Sequence, residues 1–378
     1  ATIKYNQDGT EAWVVGYDGP DSGSDEAIAI AVDADGNVYV TGSSQGDFAT
    51  VKYNQDGTEA WVARYVGGSV SDMVIDNEGS VYVSGNSDGG GATIKYNSDG
   101  TESWVATHAG LHVVAMAIDM EGYIFVTGSS TGSEDNSDYT TIKYNHDGTE
   151  AWIVFHNGLG GFSDNDYATA NAVDANGYVY VTGISDDITT IKYNQDGTEA
   201  WIARYSDVYD WGNTNIAAIA VDANGNVYIT GALYAFYITI KYDSDGNEAW
   251  RRSLYYDQSS ELRFDEASAI ALDGEGNVYV TGVTYEWGRS HSKFTTIKYD
   301  PNGSELWRED YEGGLAPALA IDISGNVFVT GEVDSAYTTI KYIQPNSPVV
   351  VEQVALPEKF EVYQNYPNPF NPTTTITF

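Results

Sequence analysis

The sequence predicts an all-β fold, a seven-bladed β-propeller of four-stranded antiparallel blades closed into a ring by N-terminal strands. Two recurring phrases, and the distances between them, carry that reading. One is Thr-Ile-Lys-Tyr-Asn-x-Asp-Gly-Thr-Glu-Ala-Trp, first at Thr2 to Trp13; the other is Asp-x-x-Gly-Asn-Val-Tyr-Val-Thr-Gly, first at Asp33 to Gly42. The Lys of the first recurs at Lys4, Lys52, Lys95, Lys143, Lys192, Lys241, Lys298 and Lys341. The Gly closing the second recurs at Gly42, Gly85, Gly128, Gly183, Gly231, Gly282 and Gly331. Lys4 to Lys341 is 337 residues in seven steps, about 48 each, a period that belongs to propellers and solenoids.

Each unit reads as four short strands, A to D, which in the first unit are Ala27–Val32, Val38–Gly42, Thr50–Tyr53 and Ala60–Tyr65. Strand A alternates small and branched residues, as suits a crowded axis buried on both faces. The A–B turn Asp33-Ala34-Asp35-Gly36-Asn37 and the C–D turn Asn54-Gln55-Asp56-Gly57 carry the Asx and Gly residues that close hairpins. No segment holds a helical period.

Spacing separates the two faces of the ring. Asp to Gly across strands A and B is nine residues in all seven units, and Lys to Trp across C and D is nine wherever the Trp exists. Trp to the next Asp runs from 15 to 23, and Gly to Lys from 9 to 16. In a propeller the A–B and C–D turns share one face and the other two connections share the opposite one. All length variation therefore collects on one face, where binding is expected.

Strand counting leaves a surplus. The last blade has A, B and C but no D, which the N-terminal hairpin Thr2–Val15 supplies, so ring closure is expected to pair the chain ends. The hairpin also brings its own strand C. Thr2, Ile3, Lys4 and Tyr5 then compete with Thr339, Ile340, Lys341 and Tyr342, and pairing with a neighbouring molecule would give a strand-exchanged homo-oligomer. The chain opens at Ala1 inside a repeat without a signal peptide, an end expected from processing or truncation.

Net charge is -38, from 55 acidic against 17 basic residues, which argues against nucleic acid and anionic membrane surfaces as partners. Cysteine is absent, so there is no disulfide framework and no thiolate site. No apolar run approaches the ~18 residues of a membrane span, so no membrane insertion is expected.

Composition changes after Tyr342. Residues 343–355 read as a linker, and 356–378 contains Gln364-Asn365-Tyr366-Pro367-Asn368-Pro369-Phe370-Asn371-Pro372. That stretch resembles the opening of the C-terminal sorting domain of the bacterial type IX secretion system, which implies a secreted or cell-surface protein. The family continues for several more strands, whereas this sequence stops at Phe378. Residues 1–342 resemble the seven-bladed β-propeller repeat family of bacterial surface and secreted proteins. That family shares no common chemistry, so the resemblance implies fold and location only.

Four sets of residues invite chemistry. Asp33, Asp76, Asp119, Asp174, Asp222, Asp273 and Asp322 end the A strands and would ring one mouth of the axis. With Asp35 they faintly echo a calcium loop; calcium is the one cofactor this suggests, and turn capping explains the same Asp without any metal. The repeated Lys are expected to pair with Glu or lie over the strand D indole. His108 and His112 have metal-like spacing, but a short connection rather than a helix separates them. Trp211 and Trp287 fall outside the repeat, on the variable face, with Tyr209, Tyr234, Phe236, Tyr237, Tyr255, Tyr256, Tyr285, Arg289 and His291 around them. Such rings suit a glycan or a protein at the cell exterior, or pack on one another.

Neither a Gly-x-Ser-x-Gly motif nor a catalytic Cys is present. The expected function is a non-enzymatic binding or adhesion module. The alternatives are a structural subunit of an extracellular homopolymer and a polysaccharide-active enzyme.

Overall fold

The computed structural model describes residues 1–6, 9–20, 23–131, 137–158, 166–185, 187–205, 214–233, 236–254, 265–285, 292–322, 324–333 and 336–343. These form 29 strands and no helix. A hairpin of β1 (Thr2–Tyr5) and β2 (Glu11–Val15) comes first. Blade 1 is β3 (Asp25–Val32), β4 (Val38–Ser44), β5 (Asp47–Tyr53) and β6 (Glu59–Tyr65), the predicted strands A to D lengthened by one to three residues. Blades 2 to 6 repeat that order as β7–β10 within 69–108, β11–β14 within 111–156, β15–β18 within 167–205, β19–β22 within 215–253 and β23–β26 within 266–312. Blade 7 is β27 (Leu315–Ile321), β28 (Val327–Val333) and β29 (Ala336–Tyr342). Every pairing is antiparallel between consecutive strands, so the molecule is an all-β, seven-bladed propeller.

Hydrophobic clusters lie between blades rather than within them. Ala29, Ala31, Tyr39 and Phe48 of blade 1, for example, pack on Val70, Met73, Val81, Val83 and Ile94 of blade 2. One blade cannot bury its own faces, so each needs a neighbour. The strand D Trp bonds the rim of each joint. Its indole Nε1 donates to a backbone carbonyl in the C–D turn of the next blade, at 2.9 to 3.1 Å in six joints from Trp13–Gln55 to Trp250–Pro301. Beneath the ring lies that turn's glycine, as with Trp61 over Gly100, where a Cβ would overlap the indole and φ is +84°. Only Trp250 is fully buried; the other repeat Trp are half-buried at the joint rather than in the core.

The repeated Lys differs from expectation. Lys52 lies opposite both Tyr39 on strand B and Trp61 on strand D, and its ammonium sits over the Tyr39 ring at 4.9 Å. Lys95, Lys143, Lys192, Lys241, Lys298 and Lys341 likewise sit over strand B rings. The indole is already committed to the next blade, which leaves the strand B ring as the aromatic face open to the cation.

The seventh blade is split between the two ends of the described chain. Thr2, Ile3, Lys4 and Tyr5 pair with β2 in a two-stranded sheet, and Thr339, Ile340, Lys341 and Tyr342 pair with β28 in a three-stranded one. Among the described residues no ladder joins β29 to β2, so the expected pairing of the chain ends is not seen. β1 already holds the place beside β2 that a strand C of the last blade would take. Trp13 packs on the Gln55–Gly57 turn as every later repeat Trp packs on the blade that follows, so the hairpin stands where strands C and D preceding blade 1 belong. Of the predicted linker only Ile343 is described, and 356–378 lies outside the described residues.

Candidate functional site

Strand A enters each blade from the variable face and ends at the constant Asp. Its first turn of chain carries a bulge, between Ala27 and Ala29 in blade 1 and at the matching place in blades 2 to 6. Opposite the bulge is the strand B Gly. A Cβ on Gly42 would run into the carbonyl of Glu26, and the same holds for Gly85 with Ser69, Gly128 with His112, Gly183 with Tyr167, Gly231 with Asn215 and Gly282 with Glu266. The constant Gly therefore makes room for the backbone at the start of strand A.

The side chains at that start are the ones that the repeat leaves free to vary. Seven residues before the constant Asp stand Glu26, Ser69, His112, Tyr167, Asn215, Glu266 and Leu315, six residue types in seven copies. The first six are exposed, Tyr167 at 50%. The A strands of successive blades pack side by side, so these residues form an arc around the variable-face mouth of the axis. Asn215 Nδ2 donates to Glu266 Oε1 at 2.8 Å, joining blades 5 and 6 across that arc. Asp25, just before Glu26, is held below the usual carboxylate range by the Ser44 hydroxyl and the Gly19 N–H.

The opposite mouth is built differently. Asp33 Oδ1 accepts from the N–H groups of Asp35 and Asn37, and Oδ2 accepts from Asn37 Nδ2 and the Tyr39 hydroxyl, all at 2.8 to 3.0 Å. Asp76, Asp174, Asp222 and Asp273 repeat the turn caps and the Tyr bond, whereas Asp119 and Asp322 keep the turn caps opposite Phe125 and Phe328. Burial raises the Asp119 carboxyl against the pull of its turn N–H groups and of Lys143. Burial first, and the neighbouring carboxylate second, hold the Tyr39, Tyr180 and Tyr279 phenols far above their ordinary value. With their oxygens spent on turn donors, these carboxylates fit a calcium ion poorly. Among the described residues no three His, Asp or Glu gather at metal-binding distance.

The aromatic candidates are only partly in view. Tyr209, Trp211, Tyr234, Tyr256, Trp287, Arg289 and His291 lie outside the described residues, as does Tyr255. Phe236 opens strand C of blade 5 opposite Leu233, and Tyr285 ends strand B of blade 6 opposite Ser292. Tyr237 is no surface ring: it is 2% exposed and donates its hydroxyl to the Thr295 carbonyl. His108 and His112 sit on consecutive strands either side of the turn at Gly110, as a short connection predicts. Sequence reasoning missed the mouth arc; His112 drew notice only for its spacing from His108. The signal available was the contrast between a constant Asp and a position seven residues earlier that differs in most copies.

A family model described as a beta-propeller repeat matches residues 19–49. That match falls on blade 1, one unit of the β-propeller described above. No curated protein matches it. Among solved structures the propeller is similar to a protein from Lactobacillus plantarum, with 13% identity, TM-score 0.56, and coverage of 89% of this chain and 98% of that one. It is also similar to the periplasmic gluconolactonase of Pseudomonas aeruginosa, with 14% identity, TM-score 0.53 and coverage of 86% and 94%. The WD40 beta propeller domain of Doa1 follows at 13% identity, TM-score 0.54 and coverage of 92% and 96%. At such identities the likeness shows the fold alone.

Proposed function

We propose that this propeller is a non-enzymatic binding module, exported to the cell exterior, whose ligand seats on the variable-face mouth. One observation carries the reading. Copies of a single repeat keep the residues that the joint, the turns and the bulge require, and differ at the exposed residue near the start of strand A. Residues that no structural role holds constant, placed on a rigid ring, are where specificity can be written at no cost to the fold. The ligand is a glycan or a protein presented outside the cell.

A glycan array and a panel of purified surface proteins, screened with the intact chain and with a His112→Ala/Tyr167→Ala/Asn215→Ala variant, test this. The expected result is a ligand whose affinity falls by about tenfold or more in the variant while its melting temperature stays put. A ligand bound equally well by both forms contradicts the reading. A reducing-end assay on any bound glycan that shows turnover replaces the binding module by an enzyme.

A further inference from the structure

We infer that Trp307 is a docking post for the N-terminal hairpin of the same molecule, whose β1 then replaces β29 beside β28. In six joints the strand D indole has both an acceptor and a seat. The acceptor is the carbonyl two residues after the strand C Tyr of the next blade, as with Trp61 and Ser98 after Tyr96. The seat is the Gly four residues after that Tyr, where a Cβ would come within 2.6 to 2.9 Å of the indole. Trp307 packs on Tyr342 in the usual way, with ring centroids 5.5 Å apart. Its Nε1 is nevertheless shielded from solvent and finds no acceptor among the described residues. An N–H buried in that state destabilises the fold and points to a partner that has yet to arrive.

The strands that compete for this station do not differ, but the turns after them do. After Tyr342 the chain reads Ile343-Gln344-Pro345-Asn346, so the seat falls on Asn346, which carries the Cβ that the indole forbids. After Tyr5 it reads Asn6-Gln7-Asp8-Gly9, the repeat's own turn, with Gln7 at the acceptor position. Gly9 has φ +83°. Asn6 N–H donates to the Thr10 carbonyl and Gly9 N–H to the Asn6 carbonyl, the same two bonds that shape the Asn54–Thr58 turn. The hairpin therefore carries the turn that Trp307 lacks. It also stands at the open side of the ring. In blades 2 to 6 the residue six before the constant Asp (Val70, Val113, Ala168, Ile216 and Ala267) is buried against the blade before it. Ala27, its counterpart in blade 1, is exposed, and Ile28 beside it is 44% exposed. Trp13 already fixes the hairpin to blade 1, so seating its turn on Trp307 brings blade 7 against that apolar surface and closes the ring. The tether favours the molecule's own hairpin over that of a second copy. β29 is displaced, and the segment that follows it leaves the blade with it.

Thr330 of β28 lies opposite Thr339 of β29, and Thr2 is the matching residue of β1. The chain has no Cys, so a Thr2→Cys/Thr330→Cys/Thr339→Cys variant lets the thiol at position 330 choose between the two strands. In a glutathione buffer that keeps disulfides exchanging, peptide mass spectrometry reads the pairing at equilibrium. The expected result is a 2–330 disulfide within one molecule, in about fivefold or greater excess over 330–339. Adding Trp307→Phe removes the donor and keeps a ring, and adding Gly9→Ala blocks the seat; each should lower that ratio by about fivefold or more. A predominant 330–339 disulfide in the parent variant overturns the exchange. A 2–330 disulfide found only in dimers on a non-reducing gel puts the hairpin in a second copy and overturns closure within the molecule. A ratio moved by neither Trp307→Phe nor Gly9→Ala removes Trp307 as the post. Far-UV circular dichroism of the reduced variants checks that each keeps its strands.

Discussion

Protonating His156 inside the joint of blades 3 and 4 works against folding. The ring is 9% exposed, lies against Tyr139, and has Nε2 3.4 Å from Arg204 Nη2; burial first, and Arg204 second, hold its pKa down at about 4. Because the folded value lies below the ordinary one, the contribution is whole above about pH 6.5 and is lost as pH falls towards 4. Asp72 has the opposite sign. It occupies a strand A position held by Ala in the other six blades, and its carboxylate reaches the N–H of Met116 in the next blade. Burial raises it to about 6, so it is ionised at pH 7 but at a cost to the folded state. Urea unfolding should therefore show that His156→Phe flattens the loss of stability between pH 7 and pH 4, by about 2–3 kcal/mol. Asp72→Ala should stabilise by about 1 kcal/mol at pH 7, with the gain shrinking as pH drops below 6. A parallel pH profile for His156→Phe, or a destabilised Asp72→Ala, would contradict these assignments. The fixed-face Asp gives a further residue-scale expectation: chelation with EDTA leaves the melting temperature unchanged, because turn N–H groups rather than an ion satisfy the carboxylates. A fall of several degrees would show a bound metal.

At the scale of the element, the joint between strand D and the next C–D turn repeats six times with one geometry, so it behaves as a module. Trp104→Phe keeps the ring over Gly148 and loses the bond to the His146 carbonyl, at about 1 kcal/mol. Gly148→Ala keeps the bond and drives a Cβ into the indole at φ +82°, which should cost more, about 2–3 kcal/mol. Chemical denaturation separates the two, and a larger cost for Trp104→Phe would reverse this view of the joint. Strands and turns were legible because hairpin signals and alternation are local. The partner of Lys52 was not, since strand C faces Tyr39 on one side and Trp61 on the other, and only the next blade decides which ring is free. Tyr237 was misread for the same kind of reason: strand C of blade 5 begins at Phe236, earlier than the repeat phrase indicates, so the ring enters the joint.

Across the whole molecule, a fixed face and a variable face follow from landmark spacing alone, and the ring of blades follows from the period. The mouth arc was legible in principle, being the place where the copies cease to agree, but its meaning needed the bulge at the start of strand A and the Gly that makes room for it. Closure resisted prediction because two identical Thr-Ile-Lys-Tyr strands claim one station, and sequence has no means of ranking identical claimants. Backbone exchange measured with and without bound ligand tests the central claim most directly. The account predicts new protection at the starts of the A strands, around Glu26, Ser69, His112, Tyr167, Asn215 and Glu266, with the fixed-face turns unaltered. Protection confined to the Asp-Gly turns or to the outer D strands would contradict it.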